Sequence, residues 1–123
     1  MKLSHTSYGS NVPVRDLYRE GVDYHEEIFE VDSDGVLKFL EKLSDLRDSI
    51  YVYASDDCHL KFYLAGDRSL WVEIQCGDFW AISEVPTPAA ARAIIEMASK
   101  REPFGEQIPT THQEWGAYGS TGN

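Results

Sequence analysis

The chain has 123 residues, enough for one domain with a substantial core and too few for a catalytic domain joined to a regulatory one. It carries 21 acidic and 11 basic side chains, and the formal charge of −10 at pH 7 repels phosphate backbones and anionic membrane surfaces. Direct binding to nucleic acid or to a membrane is therefore disfavoured. The longest apolar runs are only a few residues, and the first residues, MKLSHTSYGS, lack the apolar segment of a signal peptide, so we expect a cytoplasmic protein.

The two ends of the chain are poor in aliphatic residues. Residues 1–13 and 117–123 are rich in Ser, Gly, Asn and Thr, which predicts a flexible tail at each end of a single α+β domain over residues 14–116. Cys58 and Cys76 have no metal-type spacing, and nothing indicates an oxidising compartment, so we expect two reduced thiols.

Alternating and helical patterns follow one another along the domain. HEEIFEV (25–31) predicts a first strand, and Asp32 to Asp34 supply the cap of a helix with apolar residues at helical spacing from Val36 to Leu46. Thr87 and Pro88 are typical of the start of a second helix, which Pro103 stops before an irregular ending that returns to the body at Trp115. Between the helices, tight turns join four predicted strands: IYVYA (50–54), HLKFYLA (59–65), SLWVEIQC (69–76) and FWAISEV (79–85).

This order of elements predicts an α+β fold, an antiparallel four- to five-stranded meander sheet with two helices packed on one face. When the aliphatic residues of the strands are aligned toward the helices, the other face carries Tyr51, Tyr53, Lys61, Tyr63, Trp71, Glu73 and Gln75. Tyr and Trp combine large contact area with a polar tip, which is typical of recognition surfaces. Two alternatives stay open, namely cross-strand aromatic pairs that only stabilise the sheet, and coverage by residues 14–24.

No catalytic motif is present, and the four histidines are scattered, so we expect no enzyme and no metal or other cofactor. The stretch EVDSDGVLKFLE places Glu30, Asp32, Asp34 and Glu41 at the first, third, fifth and twelfth positions of a calcium-binding EF-hand loop. Glu30 stands where aspartate is usual, and Lys38 takes the ninth position, where an oxygen ligand or water is needed. The same acidic residues also serve as helix cap and first-turn acids, so calcium binding by Glu30 to Glu41 stays an open alternative.

The stretch FEVDSDGVLKFLEKL, the meander rich in tyrosine and tryptophan, and the ending KREPFGEQIPTTHQEW together resemble immunity proteins of bacterial polymorphic-toxin and contact-competition systems, in particular the first-numbered immunity family. The resemblance covers about residues 27–116. It implies a non-enzymatic inhibitor, made in the cytosol of the toxin producer, that covers the active site of a cognate toxin. Such toxins are often enzymes with basic substrate clefts.

On this reading the partner-binding residues are four aromatic anchors and five acidic groups on the sheet face and its turns: Tyr51, Tyr53, Tyr63, Trp71, Asp56, Asp57, Asp67, Glu73 and Asp78. The carboxylates would imitate substrate phosphates, speeding association, while the aromatic anchors slow dissociation. Two other functions remain in competition. One is a small ligand-binding or regulatory domain, and the other is a nucleic-acid mimic similar to anti-CRISPR proteins. The sequence leaves the choice between monomer and dimer undecided.

Overall fold

A computed structural model describes residues 1–17, 19–102 and 104. Its elements are β1 (Lys2–Tyr8), a 3-10 turn (Val14–Asp16), β2 (Tyr24–Glu30), α1 (Ser33–Lys42), β3 (Ser49–Ser55), β4 (Cys58–Leu64), β5 (Leu70–Cys76), β6 (Phe79–Glu84) and α2 (Pro88–Lys100). The predicted α+β class is confirmed, and each predicted strand and helix is present. The first helix is shorter than its apolar spacing to Leu46 predicts, because Leu43 takes an extended backbone conformation and α1 ends at Lys42. Pro103, Trp115 and the expected tail 117–123 lie outside the described residues.

Both helices begin at the caps that the sequence indicates. The Asp32 carboxylate accepts a hydrogen bond from the Gly35 backbone N–H at 2.8 Å, and the Thr87 hydroxyl accepts one from Ala90 N–H at 3.1 Å. Such caps satisfy N–H groups that the first turn of a helix leaves unpaired. The two helices are tied to one another by an ion pair between Arg92 and Asp34, and the Arg92 guanidinium lowers the pKa of that carboxyl.

The strands form one antiparallel sheet in the order β2-β1-β3-β4-β5-β6. The expected four or five strands are six, because residues 2–8 form β1 between β2 and β3. The prediction of a flexible tail over residues 1–13 is therefore wrong for this segment. The sequence of β1 is too polar to indicate a strand, since Leu3 is its one fully buried aliphatic side chain. Ser4 and Thr6 are also buried, because β1 lies between β2 and β3.

The core lies between one face of the sheet and the two helices. The strands contribute Leu3, Ile50, Val52, Leu60, Phe62, Val72, Ile74 and Ala81, and the helices contribute Val36, Leu40, Ala91, Ile94, Ile95 and Ala98. The predicted assignment of strand faces is confirmed, because alternate residues of β3, β4 and β5 are buried against the helices. No helix within the described ranges is long and apolar enough to cross a membrane.

Cys58 and Cys76 form a disulfide, so the expectation of two reduced thiols is wrong. The pairing of β4 with β5 places these residues directly opposite each other, and Cys58 is 2% exposed at the edge of the core. Their separation of 18 residues carries no pairing signal in the sequence. The bond follows from the strand register, which the sequence sets through the turn at residues 65–69.

Candidate protein-binding face

The face of the sheet opposite the helices is called the open face. Its strands place side chains in rows across the sheet, because each residue stands beside its partners in the neighbouring strands. The middle row contains Ile28, Ser4, Tyr51, Lys61, Glu73 and Ile82. The row toward the start of β1 contains Glu30, Lys2, Tyr53, His59, Gln75 and Trp80. The third row contains Glu26, Thr6, Ser49, Tyr63, Trp71 and Glu84.

Lysine and tyrosine side chains alternate at the centre of the open face. The Lys61 ammonium lies 5.7 Å from the ring centroids of both Tyr51 and Tyr63, and the Lys2 ammonium lies 5.5 Å from that of Tyr53. At these distances an ammonium group is attracted to the electron-rich face of the ring. The centre of the face therefore carries ordered aromatic rings with positive charge between them.

Hydrogen bonds orient the two tryptophans of the open face. Trp71 Nε1–H donates to the Ser69 hydroxyl at 2.8 Å, and Trp80 Nε1–H donates to Glu73 Oε1 at 3.4 Å. Trp80 is 3% exposed, so it is a packed residue of the face, whereas Trp71 is half-buried. Fixed rings lose little rotational freedom when a partner binds, which makes Trp71 suitable as an anchor.

The four predicted aromatic anchors lie together on the open face and differ in exposure. Tyr53 is 41% exposed, while Tyr51, Tyr63 and Trp71 are half-buried. Coverage of these aromatic residues by residues 14–24 is one of the alternatives that the sequence leaves open. Of its described residues, Val14 lines a cavity with Asp45 and Arg68, and Tyr24 lies in β2 against Tyr8, with 5.8 Å between ring centroids.

The predicted acidic residues are divided between three places. Glu73 lies on the open face, Asp56, Asp57 and Asp78 lie in adjoining turns at one end of the sheet, and Asp67 lies in the turn at the other end. The Gly77 backbone N–H donates to the Asp57 backbone carbonyl at 2.9 Å, which joins the turn between β5 and β6 to the turn between β3 and β4. The structure therefore brings the aromatic anchors and Glu73 together, but it does not bring the four turn aspartates into one site.

Two of these turn aspartates are engaged within the chain. The Asp57 carboxylate forms an ion pair with Arg101, which follows α2 in a left-handed conformation with φ of 60°. Asp67 accepts hydrogen bonds from the Ser69 hydroxyl and backbone N–H, and the hydroxyl contact holds the pKa of Asp67 below its usual value. Both carboxylates thus order local structure, whereas Asp56 and Asp78 are exposed in their turns.

The sequence-based site missed the part of the open face that β1 and β2 supply. Tyr24 is 61% exposed and Ile28 is 55% exposed, more than any of the predicted anchors. Glu26 and Glu30 stand on the same side of β2. The sequence of residues 25–31 contains a usable signal, because residues two apart in a strand, such as Ile28 and Glu30, share one side. That side is connected to the meander only through β1, which the sequence analysis does not predict.

The residues of the EF-hand-like stretch have other partners in the structure. Asp32 caps α1 through Gly35, and Asp34 is paired with Arg92. Across the described ranges, no three His, Cys, Asp or Glu side chains are grouped so that they could hold a metal ion.

No family model, curated protein or solved structure matches the chain.

Proposed function

We propose that this protein is an immunity protein, a non-enzymatic inhibitor that binds a cognate bacterial toxin domain and covers its active site. The observation that carries the proposal is the sharing of one sheet face by Tyr51, Tyr53, Tyr63 and Trp71, while the aliphatic residues of the same strands pack on the helices. Aromatic residues with polar tips dominate the binding energy of many protein interfaces.

Charge supports a basic protein partner. The formal charge is −10, and on the open face Glu73 stands beside Lys61 while Glu26, Glu30 and Glu84 stand on the two edge strands. A toxin whose cleft binds phosphates would be attracted to such a surface, which raises the association rate at low salt. The same charge disfavours nucleic acids and anionic membranes as direct partners.

The cytosol of the toxin producer is the proposed place of action. Thioredoxin and glutathione keep most cytosolic thiols reduced, so the Cys58–Cys76 bond would be absent there for much of the time. The proposal therefore requires that the open face forms equally well with two thiols. Toxin binding by the reduced protein is a direct check of this requirement.

The decisive experiment is co-expression with the product of the adjacent reading frame, followed by co-purification and by measurement of the toxin's activity. We expect a stable complex in a one-to-one ratio and loss of toxin activity. Recovery of the protein alone with a bound small molecule would instead favour a ligand-binding domain.

Variants on the open face test the site itself. Tyr53→Ala and Trp71→Ala should each weaken the complex by about 2 kcal/mol if these residues are central anchors. Val14→Ala is a matched control, since Val14 is 51% exposed but lies in the 3-10 turn outside the sheet. Equal affinity of all three variants would exclude the open face as the contact surface.

A charge variant tests association in particular. Asp56→Asn should reduce the association rate and its dependence on salt with little effect on folding, because Asp56 is exposed. Asp57 is less suitable, since its neutralisation also releases Arg101. An unchanged association rate at low salt would contradict a steering role for this turn.

A further inference from the structure

Every second residue of the edge strand β2 points its backbone N–H and C=O groups away from the sheet. The hydrogen bonds between Met1 and Val31, next to the end of β2, identify these residues. Val31 N–H donates to Met1 O at 2.8 Å, and the Met1 amino group donates to Val31 O at 2.7 Å. A pair that exchanges both bonds alternates along an antiparallel ladder with a pair that exchanges none. With Leu3 opposite Phe29, residues 25, 27 and 29 bond to β1, so residues 24, 26, 28 and 30 point their N–H and C=O groups outward.

Two of the outward residues carry the most exposed large hydrophobic side chains of the open face. Tyr24 and Ile28 are 61% and 55% exposed, and every residue of β2 except Phe29 is exposed. Natural edge strands are usually protected by a short length, a proline, a bulge or charged side chains. β2 has seven residues, no proline and a continuous register with β1, so charge is its remaining protection.

The charges of β2 determine what can pair with it. Glu26, Glu27 and Glu30 are the acidic residues of the strand. If two copies of β2 paired antiparallel about residue 26, 27 or 28, glutamates would stand directly opposite glutamates, which destabilises a sheet. A second copy of this chain is therefore a poor occupant. A strand with basic side chains would face opposite charges at the same positions.

We propose that β2 accepts an additional strand from a partner protein, one with basic residues at positions i and i+4 and an apolar residue at i+2. The basic residues would face Glu26 and Glu30, the apolar residue would cover Ile28, and the outward backbone groups would complete the ladder. The inference rests on the proposed function in taking the partner to be a protein. It adds a definite contact, because an added strand extends the open face beyond the predicted aromatic anchors.

The test is a titration of the ¹⁵N-labelled protein with a capped seven-residue peptide, TKTVTKT, followed by amide chemical shifts. We expect saturable shifts centred on the amides of Glu26, Ile28 and Glu30. The control peptide TETVTET should bind about tenfold more weakly, because two attractive cross-strand charge pairs become repulsive. Absence of saturable shifts with TKTVTKT, or shifts centred away from β2, would overturn the proposal.

Two variants separate backbone pairing from charge. Ile28→Pro removes one outward N–H and should abolish binding, whereas Ile28→Val retains that N–H and should bind nearly as the wild type does. Should Ile28→Pro disturb the fold, the double variant Glu26→Lys with Glu30→Lys replaces it. This variant should prefer TETVTET over TKTVTKT, and an unchanged preference would overturn the proposal.

Two outcomes separate a failure of strand addition at β2 from a failure of the proposed immunity function. If the toxin complex forms and Ile28→Pro leaves its affinity unchanged, the toxin binds without the β2 edge and only the edge inference is lost. If no toxin complex forms but the basic peptide binds at β2, the edge inference stands and the immunity function is lost.

Discussion

The two edge strands of the sheet are protected in different ways. β6 buries Trp80, Ala81 and Ser83 to 3% exposure or less, and Val85 then leads the chain toward α2. In β2 no side chain is fully buried. Phe29 is its one partly buried side chain and packs against the core, with its ring centroid 4.9 Å from that of Phe39.

Because of this difference, we expect β6 to contribute mainly to the stability of the fold and β2 mainly to association with other chains. Side chains that are packed at an edge contribute to the free energy of folding, since their removal leaves a cavity. Side chains that are exposed at an edge contribute little to folding but decide which chains can pair there. We therefore expect substitutions in β6 to change stability, and substitutions in β2 to change self-association or binding.

The largest effect is expected from an aromatic residue at the packed edge. Trp80→Ala should lower the free energy of unfolding by about 3–5 kcal/mol, because a nearly buried indole leaves a large cavity. Tyr24→Ala at the other edge should lower it by no more than about 1 kcal/mol. Urea unfolding followed by circular dichroism measures both values, and similar losses for the two variants would remove the distinction between the edges.

The disulfide should reinforce the half of the sheet that includes β6. Reduction of Cys58–Cys76 should lower the free energy of unfolding by about 3 kcal/mol, the value typical of a loop of this length. Amide hydrogen exchange should then increase more in β5 and β6 than in β1 and β2. The double variant Cys58→Ala with Cys76→Ala controls for side effects of the reductant, which should leave its stability unchanged.

Removing the charges of β2 should change association instead of stability. We expect the triple variant Glu26→Gln, Glu27→Gln and Glu30→Gln to self-associate, because the edge then lacks the repulsion that opposes pairing with another copy. Sedimentation velocity over a range of concentrations measures the change.

The matched control has the same net charge. Glu20, Glu41 and Glu102 are exposed outside β2, and their combined replacement by Gln should leave the sedimentation coefficient unchanged. If both triple variants associate equally, the cause is the lower net charge of the protein and not the edge strand.

Most of the fold follows from local patterns in the sequence. The helices are marked by Asp32 and Thr87 as caps, and the meander is marked by alternating aliphatic residues, so their positions and the buried face could be predicted. β1 could not, because its buried Ser4 and Thr6 are polar and its pairing partners lie up to about fifty residues away. The disulfide was missed for a related reason, since it depends on the register between β4 and β5.

The candidate site was predictable to the extent that strand alternation defines it. Tyr51, Tyr63 and Trp71 share a face because each stands at an alternate position of its strand. The position of turn residues such as Asp67 relative to that face depends on which end of the sheet the turn occupies. The exposed pair Tyr24 and Ile28 was missed because their strand joins the meander only through β1.

The smallest effect on stability is expected inside the sheet, where β1 pairs with β3. Asp48 lies there with His5 Nε2 at 3.5 Å and with Asp45 and Arg47 nearby, and burial raises the pKa of Asp48 above 3.8 despite the attraction of His5. A raised pKa means that the folded state binds this proton more tightly than the unfolded state. The resulting stability is complete below pH 3.8 and is lost as the pH rises through the folded-state pKa.

Asp48→Asn isolates this contribution, because asparagine has the shape of the protonated carboxyl and does not titrate. The variant and the wild type should have equal free energies of unfolding near pH 3, and the variant should become slightly more stable as the pH rises to 7. Urea unfolding at several pH values measures the difference. A variant that is less stable at pH 7 would mean that the His5 contact outweighs the burial of Asp48, since the two effects act on the same carboxylate with opposite sign.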